Sequence, residues 1–148
     1  MRHVANQLVL FLLVFCAGWD AKKREVPLIL LGIMGGIVVL SMIIAIISNP
    51  DGWKAEQIGS KIGGAVIGGL LLIVSRITKE AIGYGDSWLI LLIGLHLGMW
   101  DVLRVLLWAS VLAGVCSVFF LWVKKWNRTA SLPFIPFIAI SYLGVILT

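Results

Sequence analysis

Charge is scarce in this chain: of 148 residues, 12 are Lys or Arg and 7 are Asp or Glu, 13% in all. A soluble domain carries about a quarter of its residues charged, so a water-exposed globular surface is excluded. Cysteine is nearly absent too. Cys16 and Cys116 lie far apart, each inside an apolar run, and no Cys-x-x-Cys pair occurs. That pattern excludes a disulfide scaffold and a structural zinc site and predicts buried free thiols. The chain also has no internal repeat and no low-complexity tail, so residues 1–148 read as one domain.

What fills the chain is apolar: 61% of residues are hydrophobic and the mean hydropathy is +1.08. A domain of this size cannot bury so much apolar surface in itself, which points to a bilayer. Six apolar stretches can be drawn, at 4–19, 27–48, 58–75, 87–100, 102–123 and 132–147. The second and fifth are long enough to cross the hydrocarbon core outright, and the others fall near or below the usual ~17–25 residues. The break between the fourth and fifth rests on Asp101 and Arg104 alone. The expected fold is all-α, a polytopic bundle of six transmembrane segments.

The net charge of +5 reads as topology and calls for no nucleic-acid partner. Taken by alternate loops, Lys22, Lys23, Arg24, Arg76, Lys79, Lys124, Lys125 and Arg128 fall on one side, and Arg2, Lys54, Lys61 and Arg104 on the other. The richer side should be cytoplasmic. The N-terminus is then outside, in a multi-pass protein of the inner (cytoplasmic) membrane. A cleaved secretory signal ending near Cys16 is the rival reading of the start. Bulky Phe15 before the cysteine and the basic run at 22–24 oppose it.

Glycine is plentiful where the third segment falls. Gly59, Gly63, Gly64, Gly68 and Gly69 give two overlapping rows of small residues on one helix, which predicts close packing on a neighbouring helix. His96 stands ten residues beyond Asp86, about 15 Å along a helix, and reads as a hydrogen-bonded packing residue. The tryptophans gather near segment ends as interfacial anchors. Trp88 and Trp108 do not fit that pattern.

The candidate chemistry lies in the carboxylates. Asp51, Glu56 and Asp101 fall on the outer side, and Asp20, Glu25, Glu80 and Asp86 on the inner. Asp20 closes the first apolar run, at a helix end where the dipole disfavours a carboxylate. Asp86 follows Gly83-Tyr84-Gly85 and would serve, taken alone, as an ordinary helix N-cap. Together they place two carboxylates at one membrane face. Such a pair can share one proton, the protonated group acting as acid toward a carbonyl and the ionised one taking a proton from water. On helix-end position alone, the proton is expected on Asp20.

Three motifs, in order, resemble those of the type IV prepilin peptidases, intramembrane aspartic enzymes with a Gly-x-Gly-Asp signature. Asp20-Ala21-Lys22-Lys23-Arg24-Glu25-Val26-Pro27 is similar to the first, Gly83-Tyr84-Gly85-Asp86 to the second, and Leu132-Pro133-Phe134-Ile135-Pro136-Phe137 to the C-terminal Pro-Phe-Gly-Pro-Phe segment. The resemblance implies an aspartic endopeptidase without a cofactor or metal, with Asp20 and Asp86 catalytic and Gly83, Gly85, Pro27, Pro133 and Pro136 supporting them. It implies a substrate of the prepilin or pseudopilin kind, with a short basic leader and an apolar helix held in the lipid bilayer. Two positions depart from the family pattern, Trp88 where a lysine is usual and Ile135 where a glycine is usual. The cysteine-bearing insertion of the larger methylating members finds no room in these residues, so cleavage without N-methylation is expected.

Read from the residues alone, Pro27 suits the first turn of a helix, where a missing N–H costs nothing. Pro133 and Pro136 would loosen hydrogen bonding at the start of the last segment. A different class of function is also open to these residues: a small multi-span transporter or membrane scaffold, with Asp20 and Asp86 lining an ion path. Within enzymes, the same signature would suit signal-peptide or preflagellin processing.

Overall fold

A computed structural model describes residues 2–23, 28–48, 54–78, 83–124 and 134–147. They form six helices and, among the described residues, no strand: α1 (Arg2–Lys23), α2 (Leu28–Ser48), α3 (Ala55–Ile77), α4 (Tyr84–Leu97), α5 (Met99–Lys124) and α6 (Ile135–Leu147). The expected all-α membrane bundle is what the chain builds. Three spans are long and apolar enough to cross a bilayer, Ile29–Ser48, Ala55–Ile77 and Met99–Phe119. The third segment is therefore longer than the apolar stretch 58–75 suggested. It gains its first turn from Ala55, Glu56 and Gln57, polar or small residues that a hydropathy reading trims away.

Burial follows helical spacing. On α1 the buried residues Val9, Leu13, Cys16 and Asp20 step by four, three and four, which is one face of a helix. Leu31, Met34 and Val38 do the same on α2, Val102, Val105 and Ala109 on α5, and Ile135, Ile138 and Tyr142 on α6. The outer faces stay apolar. Ile29, Ile47, Ile77 and Trp122 are all more than two-thirds exposed, and no water-facing protein tolerates so much open apolar surface. The chain is a multi-pass membrane protein.

The most enclosed helix is α4, buried on nearly every side through Ser87, Leu89, Ile90, Leu92, Ile93, Gly94 and His96. It packs against α2, α3 and α5, whereas α1 packs on α2 and α6. Among the described helices, α3 and α4 share the most extensive contact. A Cβ on Gly64 would collide with the backbone of Gly94, and one on Gly68 with the backbone of Leu91. Gly63 faces Met99, 3.0 Å from its sulfur to a built Cβ. The expected glycine packing thus holds for Gly63, Gly64 and Gly68. Gly59 and Gly69 have open space instead, nothing lying within 4 Å.

With 14 residues, α4 is about 21 Å long, short of the ~30 Å hydrocarbon core. Its last carbonyls need partners that lipid cannot supply. Lys61 of α3 provides them: its Nζ donates to the carbonyls of His96 at 2.9 Å and Leu95 at 3.3 Å. The lysine charge, costly in an apolar span, is met by the negative end of a helix dipole.

The boundary between α4 and α5 is corrected. It falls at Gly98, with φ 101°, and Asp101 and Arg104 lie inside the start of α5 as an i,i+3 ion pair at 3.2 Å. The charges that suggested a loop are a helix-surface pair, and a left-handed glycine makes the break.

Candidate active site

Asp20 is placed by the periodicity of α1. It continues the Val9–Leu13–Cys16 stripe into the last turn of the helix and is only 8% exposed. A carboxylate so enclosed needs donors. One lies on α6, where the backbone N–H of Ile135 stands near enough to Asp20 to favour its charge. Ile135 is the first residue of α6, so its N–H has no partner within its own helix. Asp20 thus ends one helix and faces the donor-rich start of another.

Asp86 is the third residue of α4. The helix cap is Gly83, with φ −52° and ψ 124°, so the N-cap role open to Asp86 in the sequence is taken by a glycine. Gly83 has a further use. A Cβ built there would stand 3.0 Å from Oδ2 and 3.3 Å from Cγ of Asp86, so the first glycine of Gly83-Tyr84-Gly85-Asp86 leaves room for the carboxylate. Gly85 is the half-buried second residue of the helix.

Asp20 stands close enough to Asp86 for its charge to act on that carboxyl group, across helices with little direct packing between them, α1 and α4. Ser87, fully buried beside Asp86, bridges outward: its Oγ lies 3.4 Å from the Leu71 carbonyl of α3 and 3.3 Å from the Gly83 carbonyl. The hydroxyl thereby ties the glycine turn to α3. Neither Ser87 nor the Ile135 N–H was singled out in the sequence. A serine after the signature offers a weak hint, and the backbone donor offers none.

Of the supporting residues, Gly83, Gly85 and Pro136 fall in the described segments. Pro136 is the second residue of α6, a first-turn position where its absent N–H is not missed. Pro27 and Pro133 lie outside the described residues. The two departures from the family pattern acquire physical roles. Trp88 meets Tyr84 edge-on, with ring centroids 6.5 Å apart, and packs against the buried core. Ile135 puts its side chain wholly in the core and leaves its N–H for Asp20, which any residue except proline could do. His96 behaves as expected: it is 8% exposed and its Nε2–H donates to Oδ1 of Asn6 at 2.8 Å.

Comparison with known proteins places the sequence in a family. The profile of the type IV leader peptidase family matches residues 7–118, a stretch that includes both aspartates, and the chain belongs to that family. It is 26% identical over 136 residues to a prepilin leader peptidase/N-methyltransferase of Xanthomonas campestris pv. campestris, covering 87% of this chain and 44% of that protein. The chain therefore spans less than half the length of this curated relative. No solved structure matches it significantly.

Proposed function

We propose that this chain is a membrane-embedded aspartic endopeptidase that removes the leader of type IV prepilin-like or pseudopilin substrates, with Asp20 and Asp86 as its catalytic pair. The observation that carries this reading is a buried Asp20 whose charge acts on Asp86, in a chain of the type IV leader peptidase family. A structural role would not ask for two carboxylates in one apolar enclosure, where each costs several kcal/mol. The name of the bacterial relative points to the same substrate class.

Two neighbouring carboxylates favour a state with one proton between them. Burial disfavours a charge on Asp20 and the nearby Ile135 N–H offsets part of that cost; on that ground we assign the charge to Asp20, the reverse of what the end of α1 taken alone suggested. Asp20 is then the base and Asp86 the acid. Asp20 takes a proton from water as the water oxygen attacks the scissile carbonyl carbon. Asp86 gives its proton to the carbonyl oxygen; Asp20 then passes the proton it took from water to the leaving nitrogen, and as the C–N bond breaks Asp86 takes back the hydroxyl proton, so both carboxyls return to their starting states. No covalent enzyme intermediate is required.

The loop charges support a site at the cytoplasmic face of the inner membrane and an N-terminus outside. A substrate with a basic leader in the cytoplasm and an apolar helix in the bilayer fits that placement. Glu25 and Glu80 stand on the same side in the sequence. The test is leader cleavage in membranes by wild type, Asp20→Asn and Asp86→Asn, using a prepilin, a pseudopilin and a preflagellin. Both variants should be inactive with all substrates that wild type cuts. Normal processing by either one sinks the pair, and ion transport without proteolysis would favour the transporter reading.

A further inference from the structure

Asp20 and Asp86 sit on helices that run antiparallel and are tied at their other ends by a side-chain hydrogen bond. Asn6 lies 14 residues before Asp20 on α1, about 21 Å along the axis, and His96 lies 10 residues after Asp86 on α4, about 15 Å. Asn6 Oδ1 and His96 Nε2 are 2.8 Å apart. Since α1 packs on α2 and α6 while α4 packs on α2, α3 and α5, little else holds α1 against α4 directly. Apolar faces slide past one another more freely than hydrogen-bonded ones do, because in hydrocarbon a polar group that leaves its partner finds no water.

The far end is built to hold His96 still. Lys61 Nζ grips the His96 carbonyl at 2.9 Å and that of Leu95 at 3.3 Å. Just beyond, the Met99 N–H donates to Ser60 Oγ at 3.2 Å. Gly64 against Gly94 locks α3 to α4 over the same stretch. His96 is thus a fixed point of the α3–α4 pair, offered to a residue of α1.

We infer that Asn6 and His96 are positioning residues: their hydrogen bond sets the axial register of α1 against α4, and so holds Asp20 near Asp86. The axial lengths differ by about 6 Å, roughly one turn. That offset is within the distance over which the Asp20 charge acts on Asp86, and a slip that lengthens it would separate the two.

The inference rests on reading Asp20 and Asp86 as one site, and its test does not depend on catalysis. In the full chain in membranes, with Cys16→Ala and Cys116→Ala, the double substitution Asp20→Cys/Asp86→Cys is treated with a short bifunctional thiol reagent. Adding His96→Leu or Asn6→Ala should lower the cross-linking yield about threefold, the scale of one interhelical hydrogen bond in a bilayer. His96→Gln, which keeps an N–H donor, should retain most of it. In the protein with both aspartates intact, leader processing should follow the same order, with helical content unchanged. Unaltered cross-linking in both His96→Leu and Asn6→Ala overturns the inference, as does a His96→Gln variant no better than His96→Leu. If the aspartates prove dispensable for cleavage, the catalytic reading fails while the cross-linking still decides the register.

Discussion

Gly64 and Gly94 meet backbone to backbone across α3 and α4, each occupying the space where the other's Cβ would stand. Nothing flexible lies at the contact to move aside. Gly64→Ala should therefore cost about 1–3 kcal/mol of stability, as overpacking does, and Gly68→Leu should prevent assembly of the pair. Gly69→Ala, with nothing within 4 Å, should be neutral or slightly stabilising through helix propensity. Thermal unfolding in detergent of the three variants checks this, and equal losses at Gly64 and Gly69 would refute it.

Asp20→Asn and Asp86→Asn remove one oxygen's charge without changing shape, so the bundle should fold as before. Cleavage should fall by at least about a hundredfold, the scale on which general acid and base groups act. The infrared C=O band of a protonated carboxyl should be present in wild type at mildly acidic pH and absent from Asp86→Asn. Its loss in Asp20→Asn together with survival in Asp86→Asn would place the proton on Asp20 instead.

Gly83 clears the space beside Asp86 Oδ2. Gly83→Ala should thus displace the carboxylate and lower kcat while leaving the helix intact. A drop in folded protein in place of a drop in kcat would show that Gly83 serves the turn and not the carboxylate.

Helix existence was legible because length and hydropathy are written in residue order. The buried stripes were not, since on α1 the exposed Leu8, Phe11, Val14 and Phe15 are as apolar as the buried Val9 and Leu13. The α4–α5 boundary was not legible, since Asp101 and Arg104 look like a loop to a reader of charge, while one glycine among apolar residues gives little signal. The Ile135 N–H reaching Asp20 was hidden for a deeper reason. Backbone donors carry no residue identity, and the contact joins positions 115 apart in sequence. Likewise His96 could be read as hydrogen-bonded, but Asn6 as its partner depends on how α1 lies against α4.

Trp88 packs half-buried and edge-on to Tyr84. Trp88→Phe should keep most of the aromatic contact, and Trp88→Lys, the residue usual in the family pattern, should lose it. The loss should be about 0.5–1.5 kcal/mol beyond the buried area. If Trp88→Lys instead raises cleavage at equal stability, the aromatic pair restrains the site more than it supports the fold.

Tyr142 is fully buried on α6, and among the described residues its hydroxyl has no hydrogen-bond partner; neither has Ser141 Oγ. A buried polar group left unpaired costs about 1–3 kcal/mol, and replacing it by an apolar group of the same shape removes that cost. Tyr142→Phe keeps the ring and its packing against the core and deletes only the oxygen. It should unfold at a higher temperature than wild type and cleave substrate at an undiminished rate. Tyr142→Ala, which opens a cavity, should lose about 3–5 kcal/mol. The two substitutions separate packing from polarity. Should Tyr142→Phe be less stable than wild type, the hydroxyl has a partner outside the described residues, either another part of the chain or an ordered water inside the bundle.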